Sequence, residues 1–267
     1  MEQPKNNFKL VTDKKNARML LPNMLTLIGV CIGLTSIRFA LSGEFHLAII
    51  AIIFAALIDG LDGRIARLIK GTSKVGKELD SLTDMISFGV APAFIMYFWK
   101  LNTFGRFGWL LCLVYVICVA LRLARFNISS NQEPSWKDNF FEGVPSPAGG
   151  ILVLTPLIIS LSGFDYIKIN YDIIVPVFFI GTSFLLISKF PTYSFKKIVI
   201  QRKATIFLLF TIVLFFGLLL IYTFNVIAIS SIIYLSLIPI SFFHYQKMKK
   251  IHENDKIQDE DDLEDVL

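Results

Sequence analysis

Cysteine and histidine are scarce in this sequence. Its 267 residues include three cysteines and three histidines. The cysteines all lie in apolar stretches: Cys31, Cys112 and Cys118. Their spacing fits neither a disulfide framework nor a metal site, so we expect them to be small packing residues. The histidines lie near predicted loops or helix ends, and we assign none of them a catalytic role: His46, His244 and His252.

We expect no cleavable leader, and the sequence has no obvious repeat. Residues 1–18 are polar and basic, and the first apolar run ends without a small-residue cleavage site. We therefore expect this run to stay as the first membrane span. The absence of an obvious repeat argues against the inverted halves that build many transporters. We see no second soluble domain.

Apolar residues dominate what is present. They make up 54% of the chain, 25 residues are phenylalanine and the mean hydropathy is +0.63, which is typical of a polytopic membrane protein. Apolar runs close to the roughly 20 residues that cross a bilayer occur at 21–41, 47–69, 79–99, 107–126, 145–162, 172–189, 204–222 and 224–244. The predicted fold is all-α, a membrane helical bundle of about eight transmembrane helices. Pro145, Pro147 and Pro156 predict an irregular or kinked fifth span.

Positive charge is distributed unevenly between the predicted loops. With a cytoplasmic amino terminus, that side receives the lysines and arginines within residues 5–18, 64–77, 122–137, 189–203 and 247–256. The opposite side receives only Lys100, Arg106 and Lys168. The positive-inside rule therefore places both termini in the cytoplasm, and we expect a bacterial inner membrane. The net charge of +5 reflects these loops and not a nucleic-acid surface.

Four aspartates lie inside or beside the second and third apolar runs: Asp59, Asp62, Asp80 and Asp84. A carboxylate at the centre of a membrane helix costs roughly 2.5 to 3.5 kcal/mol, so four could cost on the order of 10 kcal/mol without compensation. Carboxylate oxygens are hard ligands for Mg²⁺, Mn²⁺ or Ca²⁺, and a shared cation would compensate them. Pairing with Arg64, Arg67 and Lys77 for packing alone is the alternative, and the cost of burying charge argues against it.

The spacing of these aspartates predicts two facing helical stripes. If residues 59–69 are helical, one face carries two carboxylates, two small residues and a guanidinium: Asp59, Asp62, Gly63, Ala66 and Arg67. On the next helix, Gly76, Asp80 and Asp84 repeat every four residues. The small residues remove bulk, so a flat ligand can approach the backbone beside the carboxylates.

The combined pattern is D-x-x-D-G-x-x-A-R, eight residues, then G-x-x-x-D-x-x-x-D. It resembles the signature of the CDP-alcohol phosphotransferases, and every fixed position is filled. The resemblance implies a divalent cation, Mg²⁺ or Mn²⁺, held by Asp59, Asp62, Asp80 and Asp84. It also implies that Asp84 acts as the catalytic base. It also implies a nucleotide site formed by Asn23, Thr26, Asp62, Gly63, Ala66, Arg67 and Gly76.

Residues around the signature narrow the alcohol acceptor. Family members that accept glycerol 3-phosphate usually read D-P-x-x-D-K, and those that accept an inositol phosphate usually carry arginine after the fourth aspartate. This sequence has Ser81 and Met85 there, which favours an acceptor without a phosphate. Together with L-R-L-A-R-F-N (121–127), F-E-G-V-P-S-P-A-G (141–149) and S-K-F-P-T-Y-S-F-K-K (188–197), the chain resembles the integral-membrane, serine-accepting branch of the family.

The resemblance implies that CDP-diacylglycerol and L-serine give phosphatidylserine and CMP. The serine carboxylate requires a cation, and Arg122, Arg125 and Lys189 lie at predicted cytoplasmic helix ends. The alternative for each of the three is an anchor at the level of the lipid headgroups. The partners expected from the resemblance are CDP-diacylglycerol, L-serine, membrane lipids and a second copy of the chain. No nucleic acid is expected.

Other assignments remain open at this point. The same chemistry could use glycerol 3-phosphate or an inositol phosphate as acceptor, and a cation transporter is a remote alternative because intramembrane carboxylates also mark ion pathways. For the domains, we expect a cytoplasmic segment at 1–20, a CDP-alcohol phosphotransferase core at 21–200, two additional transmembrane helices at 201–250 and an acidic, disordered tail at 251–267.

Overall fold

The computed structural model describes residues 14–69, 71, 73–129, 140–163, 170–193 and 202–264. The chain forms two compact units, Met1–Cys112 and Leu113–Leu267. The first unit contains the aspartates of the signature. The second contains the cations that were predicted to contact serine.

The described part of the first unit is helical. Its elements are α1 (Lys14–Leu41), α2 (Phe45–Leu68), α3 (Lys74–Asp84), a π-helical stretch (Met85–Val90), α4 (Ala91–Trp99), a 3₁₀ turn (Leu101–Phe104) and the start of α5 (Arg106–Ser129). The helices α3 and α4 and the π-helical stretch form one continuous span, Lys74–Trp99. Gly43, with φ of 78°, adopts the left-handed conformation that the turn between α1 and α2 requires.

Close packing of α1 against the Lys74–Trp99 span depends on two glycines. A Cβ on Gly33 would lie 2.5 Å from the Ser87 hydroxyl oxygen, and one on Gly29 would lie 3.2 Å from the Thr83 methyl carbon. The hydroxyls then reach α1: Ser87 Oγ donates to the Gly29 carbonyl at 3.3 Å. These contacts hold α1 beside the helix that carries Asp80.

The described part of the second unit contains four further helices and two short strands. They are β1 (Phe140–Glu142), α6 (Ser146–Leu161), α7 (Tyr171–Ile187), β2 (Pro191–Tyr193), α8 (Arg202–Ile221) and α9 (Thr223–Glu264). The strands are antiparallel, with Phe141 opposite Thr192. In the core, the buried rings of Tyr115 on α5 and Phe179 on α7 meet edge to face, 5.6 Å apart.

The predicted all-α membrane bundle is confirmed. Among the described residues, five helices are long and apolar enough to cross a membrane, and three shorter apolar helices occupy Ser146–Leu161, Tyr171–Ile187 and Thr205–Ile221. These eight helices match the eight predicted runs. The two three-residue strands were not predicted. Pro147 lies in the first turn of α6, where proline costs no hydrogen bond, while Pro156 lies inside the helix.

The carboxyl-terminal helix is longer than expected. α9 continues to Glu264, into the acidic stretch where we expected disorder. The predicted domain boundaries stay a prediction, and their first segment lies mostly outside the described residues. Cys112 and Cys118 are buried, as expected of packing residues, whereas Cys31 is exposed.

Candidate active site

Three signature aspartates meet between α2 and α3. One carboxylate oxygen from each of Asp59, Asp62 and Asp80 lies within 4.8 Å of the others. We call these three residues the carboxylate cluster. Asp62 is buried, with 4% of its surface exposed, and the other two are half-buried. The helical spacing predicted this arrangement, because Asp59 and Asp62 share one face of α2 while Asp80 lies on α3.

The dimensions of the carboxylate cluster fit a divalent cation. Oxygen ligands lie about 2.0 to 2.6 Å from Mg²⁺ or Ca²⁺, so two ligands on opposite sides of the ion are roughly 4 to 5 Å apart. The separation of at most 4.8 Å agrees with this distance. Without a cation, three carboxylates at such a distance would repel one another. The carboxylate cluster can therefore hold a metal ion.

Asp84 lies at the edge of the carboxylate cluster. It is the last residue of α3, one helical turn after Asp80, and its half-buried side chain is within hydrogen-bonding reach of Asp59. The π-helical stretch begins at the next residue, Met85. Such stretches are frequent at functional sites. Asp84 is thus near the three other carboxylates but one turn further along the helix.

A cavity of about 490 Å³ opens beside the carboxylate cluster. Its size is in the range of ligand-binding pockets, about 300 to 1,000 Å³. Six of the residues predicted to bind nucleotide line it: Asn23, Thr26, Asp62, Gly63, Ala66 and Gly76. Asp80 also lines it, so the cavity wall includes two members of the carboxylate cluster. The separated segments therefore meet at one cavity, and their role in nucleotide binding stays a prediction.

Helix α1 supplies one wall of the cavity and contacts the carboxylate cluster directly. The Thr26 hydroxyl oxygen lies 2.7 Å from Asp62 Oδ2 and 3.0 Å from the Pro22 carbonyl. Thr26 is itself buried, with 5% of its surface exposed. A buried carboxylate needs such a partner, because an unsatisfied polar atom away from water is costly.

The two glycines in the cavity wall have different surroundings. Beyond its own helix, a Cβ on Gly63 would meet no atom of the described residues within 4 Å. A Cβ on Gly76 would lie 2.9 Å from Asn23 Oδ1 and 3.1 Å from Ser73 Oγ. The Gly76 N–H donates to Ser73 Oγ at 2.9 Å, which caps the amino terminus of α3. The sequence predicted one role for both glycines, and the structure separates them.

Arg67 is placed differently from the other predicted nucleotide residues. It is exposed, and its Nε donates to the Gly63 carbonyl at 3.1 Å, within its own helix. Among the described residues, the cavity wall does not include Arg67. It does include Ser73, Lys74 and Lys77, which sequence reasoning did not assign to the nucleotide site. Their closeness to Gly76 in the sequence could have indicated that they line the same cavity.

The three predicted serine-contacting cations have distinct environments in the second unit. Arg122 is buried, and its Nη1 donates to the Ser146 hydroxyl at 3.0 Å. Arg125 Nη1 donates to the Ile187 carbonyl at 2.7 Å. Lys189 is exposed.

Three motifs that suggested the serine-accepting branch meet in this unit. The Gly143 N–H donates to the Phe190 carbonyl at 2.9 Å, and the Thr192 hydroxyl donates to the Gly143 carbonyl at 2.8 Å. A Cβ on Gly143, whose φ is 76°, would lie 2.8 Å from the Ser188 carbonyl oxygen. The arginines of L-R-L-A-R-F-N connect to both other segments, since Arg122 reaches Ser146 and Arg125 reaches the carbonyl of Ile187, which directly precedes the third motif.

Comparison with known proteins gives consistent relatives. A Mycobacterium leprae (strain TN) protein is 43% identical over 175 residues, covering 64% of this chain and 57% of its own length. A Helicobacter pylori (strain ATCC 700392 / 26695) protein is 37% identical over 201 residues, covering 75% of this chain and 83% of its own. A Bacillus subtilis (strain 168) protein is 33% identical over 177 residues, covering 66% of this chain and 92% of its own. Each is named CDP-diacylglycerol–serine O-phosphatidyltransferase.

The extent of the match differs between these relatives. The chain spans about 57% of the length of the Mycobacterium leprae relative, but most of the length of the two others. The profile of the CDP-alcohol phosphatidyltransferase family covers residues 19–240, which include the carboxylate cluster, the cavity and most of the second unit. This chain belongs to the CDP-alcohol phosphatidyltransferase family.

Proposed function

We propose that this protein transfers the phosphatidyl group from CDP-diacylglycerol to the hydroxyl of L-serine, giving phosphatidylserine and CMP. The observation that carries the proposal is the carboxylate cluster beside a cavity lined by Asn23, Thr26 and Gly63. The names of the relatives support serine as the acceptor. In the reaction, a bond forms between the serine oxygen and the phosphorus that carries diacylglycerol. The bond from that phosphorus to CMP breaks.

The residues of the carboxylate cluster would hold the cation that this chemistry needs. Phosphoryl transfer depends mostly on positioning and on neutralising charge, and Mg²⁺ or Mn²⁺ would neutralise the pyrophosphate. We assign Asp59, Asp62 and Asp80 to that cation, and Asp84 as a fourth ligand. Asp84 is also the proposed base that takes the proton from the serine hydroxyl. Its place at the edge of the cluster supports this second role.

The cavity is the proposed site for the cytidine diphosphate part of the substrate. Asn23, Thr26 and Asp62 offer hydrogen-bonding groups in its wall, while Gly63 and Ala66 leave room beside the backbone. Gly76 also lines the cavity, with the Asn23 amide close beside it. Arg67 is proposed to contact a phosphate, which would require its guanidinium to leave the Gly63 carbonyl.

For serine, we propose a subsite formed by Arg122, Arg125 and Lys189. Arg122 donates to Ser146 in the first turn of α6. A guanidinium and the positive end of a helix dipole then lie side by side, and both favour an anion. The carboxylate of serine is such an anion. Arg125, held by the carbonyl of Ile187, and Lys189 would add further positive charge.

The membrane orientation and the assembly are part of the same proposal. Apolar helices of membrane-crossing length make the chain an integral membrane protein. We propose the bacterial inner membrane, with both termini and the active site on the cytoplasmic side, because lysine and arginine are concentrated in the loops of that side. We also propose a homodimer, on family resemblance alone, and the domain boundaries given above.

One assay tests the proposed acceptor. Purified protein is incubated with CDP-diacylglycerol and one labelled alcohol at a time. The alcohols are L-serine, glycerol 3-phosphate and an inositol phosphate. L-Serine should release CMP and yield labelled phosphatidylserine, because Ser81 and Met85 stand where phosphate-accepting relatives carry proline and a cation. CMP release with a phosphorylated alcohol and none with serine would exclude the proposal. Cation flux without any CMP release would indicate a transporter instead.

A further inference from the structure

Gly76 and Asn23 come closer together than any side chain at position 76 would allow. A Cβ on Gly76 would lie 2.9 Å from Asn23 Oδ1, whereas comfortable contacts between heavy atoms are about 3.5 to 4.0 Å. Both residues line the cavity beside the carboxylate cluster. The obstructing atom is the end of the Asn23 side chain, so a methyl group at position 76 would displace the amide while leaving both backbones in place.

The glycine is unfavourable for the helix itself. Gly76 is the third residue of α3, and a glycine within a helix is less favourable than alanine by about 1 kcal/mol. Its N–H donates to Ser73 Oγ, and alanine keeps this donor although its Cβ would lie 3.1 Å from the same oxygen. Helix stability therefore favours alanine at this position, and the space that the Asn23 amide occupies favours glycine.

Gly63 provides the contrast within the same cavity wall. Beyond its own helix, a Cβ at that position would meet no atom of the described residues within 4 Å, so a ligand in the cavity could approach it. At Gly76 the nearest atoms belong to Asn23 and Ser73. The two glycines therefore have different roles. Gly63 keeps space open in the cavity, and Gly76 makes room for the Asn23 side chain.

We propose that Gly76 is a positioning residue that acts on nucleotide binding through Asn23. The inference rests on the proposed function, in which the cavity takes the cytidine diphosphate part of the substrate. Asn23 offers one acceptor and two donors, which suit the neutral hydroxyl, amino and carbonyl groups of a nucleoside. The carboxylate cluster, with its cation, suits the charged pyrophosphate. Gly76 keeps the Asn23 amide directed into the cavity for the nucleoside.

A double-mutant cycle tests this role. Metal-dependent binding of CDP is measured by calorimetry for the wild type, Asn23→Ala, Gly76→Ala and the double variant, and thermal unfolding is measured for each. Asn23→Ala and Gly76→Ala should each weaken CDP binding about tenfold, the worth of one hydrogen bond. The double variant should bind CDP no more weakly than Asn23→Ala alone. Gly76→Ala should unfold at the same or a higher temperature.

A matched glycine serves as control. Gly60 lies on α2 and is exposed, and the described cavity wall does not include it. In the part of the chain that the structure describes, a Cβ on Gly60 would meet no atom outside its own helix within 4 Å. Gly60→Ala should therefore leave CDP binding unchanged.

The outcomes separate the inference from the function on which it rests. Losses that multiply in the double variant would show that Gly76 acts independently of Asn23, and would overturn the positioning role. An Asn23→Ala variant that binds CDP as tightly as the wild type would also overturn the positioning role. A wild-type protein that binds no CDP in the presence of metal would contradict the proposed function itself.

Discussion

The Thr26 hydroxyl oxygen lies 2.7 Å from Asp62 Oδ2 and so connects α1 to the carboxylate cluster. Both residues are buried, with 5% and 4% of their surfaces exposed. The contact holds one oxygen of the Asp62 carboxylate. Because the carboxylate is rigid, the position of its other oxygen is restricted as well. Thr26 therefore acts on the cluster from a helix that carries none of its carboxylates.

Replacing Thr26 tests the importance of this contact. Thr26→Val keeps the shape but removes the hydroxyl, and we expect metal-dependent CDP binding to weaken about 10- to 100-fold, as is usual when a residue that orients a metal ligand is lost. Thr26→Ser keeps the hydroxyl and should remain within a few-fold of the wild type. Calorimetry with Mg²⁺ and CDP measures both variants. Equal affinities for the two variants would show that the hydroxyl does not orient Asp62.

Metal removal tests the carboxylate cluster as a whole. EDTA should abolish CMP release from CDP-diacylglycerol and serine, and Mg²⁺ or Mn²⁺ should restore it. Asp59→Asn, Asp62→Asn and Asp80→Asn should each weaken metal-dependent CDP binding, because a neutral amide replaces one of three charged ligands whose oxygens lie within 4.8 Å. Full activity in buffer free of divalent metal would show that the reaction does not need the proposed cation.

The arrangement of the cluster was predictable because it depends on local geometry. Helical periodicity alone brings Asp59 and Asp62 to one face, and the short connection to α3 brings Asp80 beside them. The cavity needed family resemblance, since Asn23 and Thr26 lie on α1, far away in sequence. The eight helices followed from apolar runs, which report burial in lipid directly.

Features that depend on contacts between side chains were not predictable. The sequence treats Gly63 and Gly76 alike, and only the position of the Asn23 amide distinguishes them. Arg67 has the right spacing for the cavity, yet its guanidinium bonds to its own helix at the Gly63 carbonyl. The pairing of Phe141 with Thr192 arises from tertiary contact between two short segments that carry no strand-length pattern.

Gly63 offers a prediction about ligand approach. Gly63→Ala adds a methyl group that, among the described residues, contacts no atom outside its own helix, so thermal stability should be unchanged or slightly increased. The methyl group would project beside the cavity, and we expect the KM for CDP-diacylglycerol to rise about tenfold if the nucleotide lies against this wall, a cost of about 1.4 kcal/mol. Gly60→Ala, on the same helix but outside the described cavity wall, is the matched control. Identical kinetics for the two variants would place the nucleotide elsewhere.

Arg122 offers a prediction about the acceptor. Arg122→Gln removes the charge that is proposed to bind the serine carboxylate, and we expect the KM for serine to rise about 10- to 100-fold, the worth of a hydrogen bond to a charged group. CDP binding should change little. Arg122 is buried and bonded to Ser146, so its replacement could also affect folding. Thermal unfolding is therefore measured for Arg122→Gln, and the charge-retaining Arg122→Lys variant is assayed beside it. Arg106→Gln, an exposed arginine at the start of α5, is the control. An unchanged KM for serine in a folded Arg122→Gln protein would exclude Arg122 from the serine subsite.

Asp84 allows the base to be distinguished from the metal ligands. It lies one turn beyond Asp80 and beside Asp59, where an acceptor hydroxyl would arrive if cation and pyrophosphate occupy the carboxylate cluster. Asp84→Asn keeps the shape but cannot take a proton, and general-base contributions are typically about 10²- to 10⁴-fold. We expect a loss of that order in turnover, with metal-dependent CDP binding largely retained. Asp80→Asn should lose both turnover and CDP binding. If Asp84→Asn instead loses CDP binding as severely as Asp80→Asn, Asp84 is mainly a metal ligand, and the proton must leave the serine hydroxyl by another route.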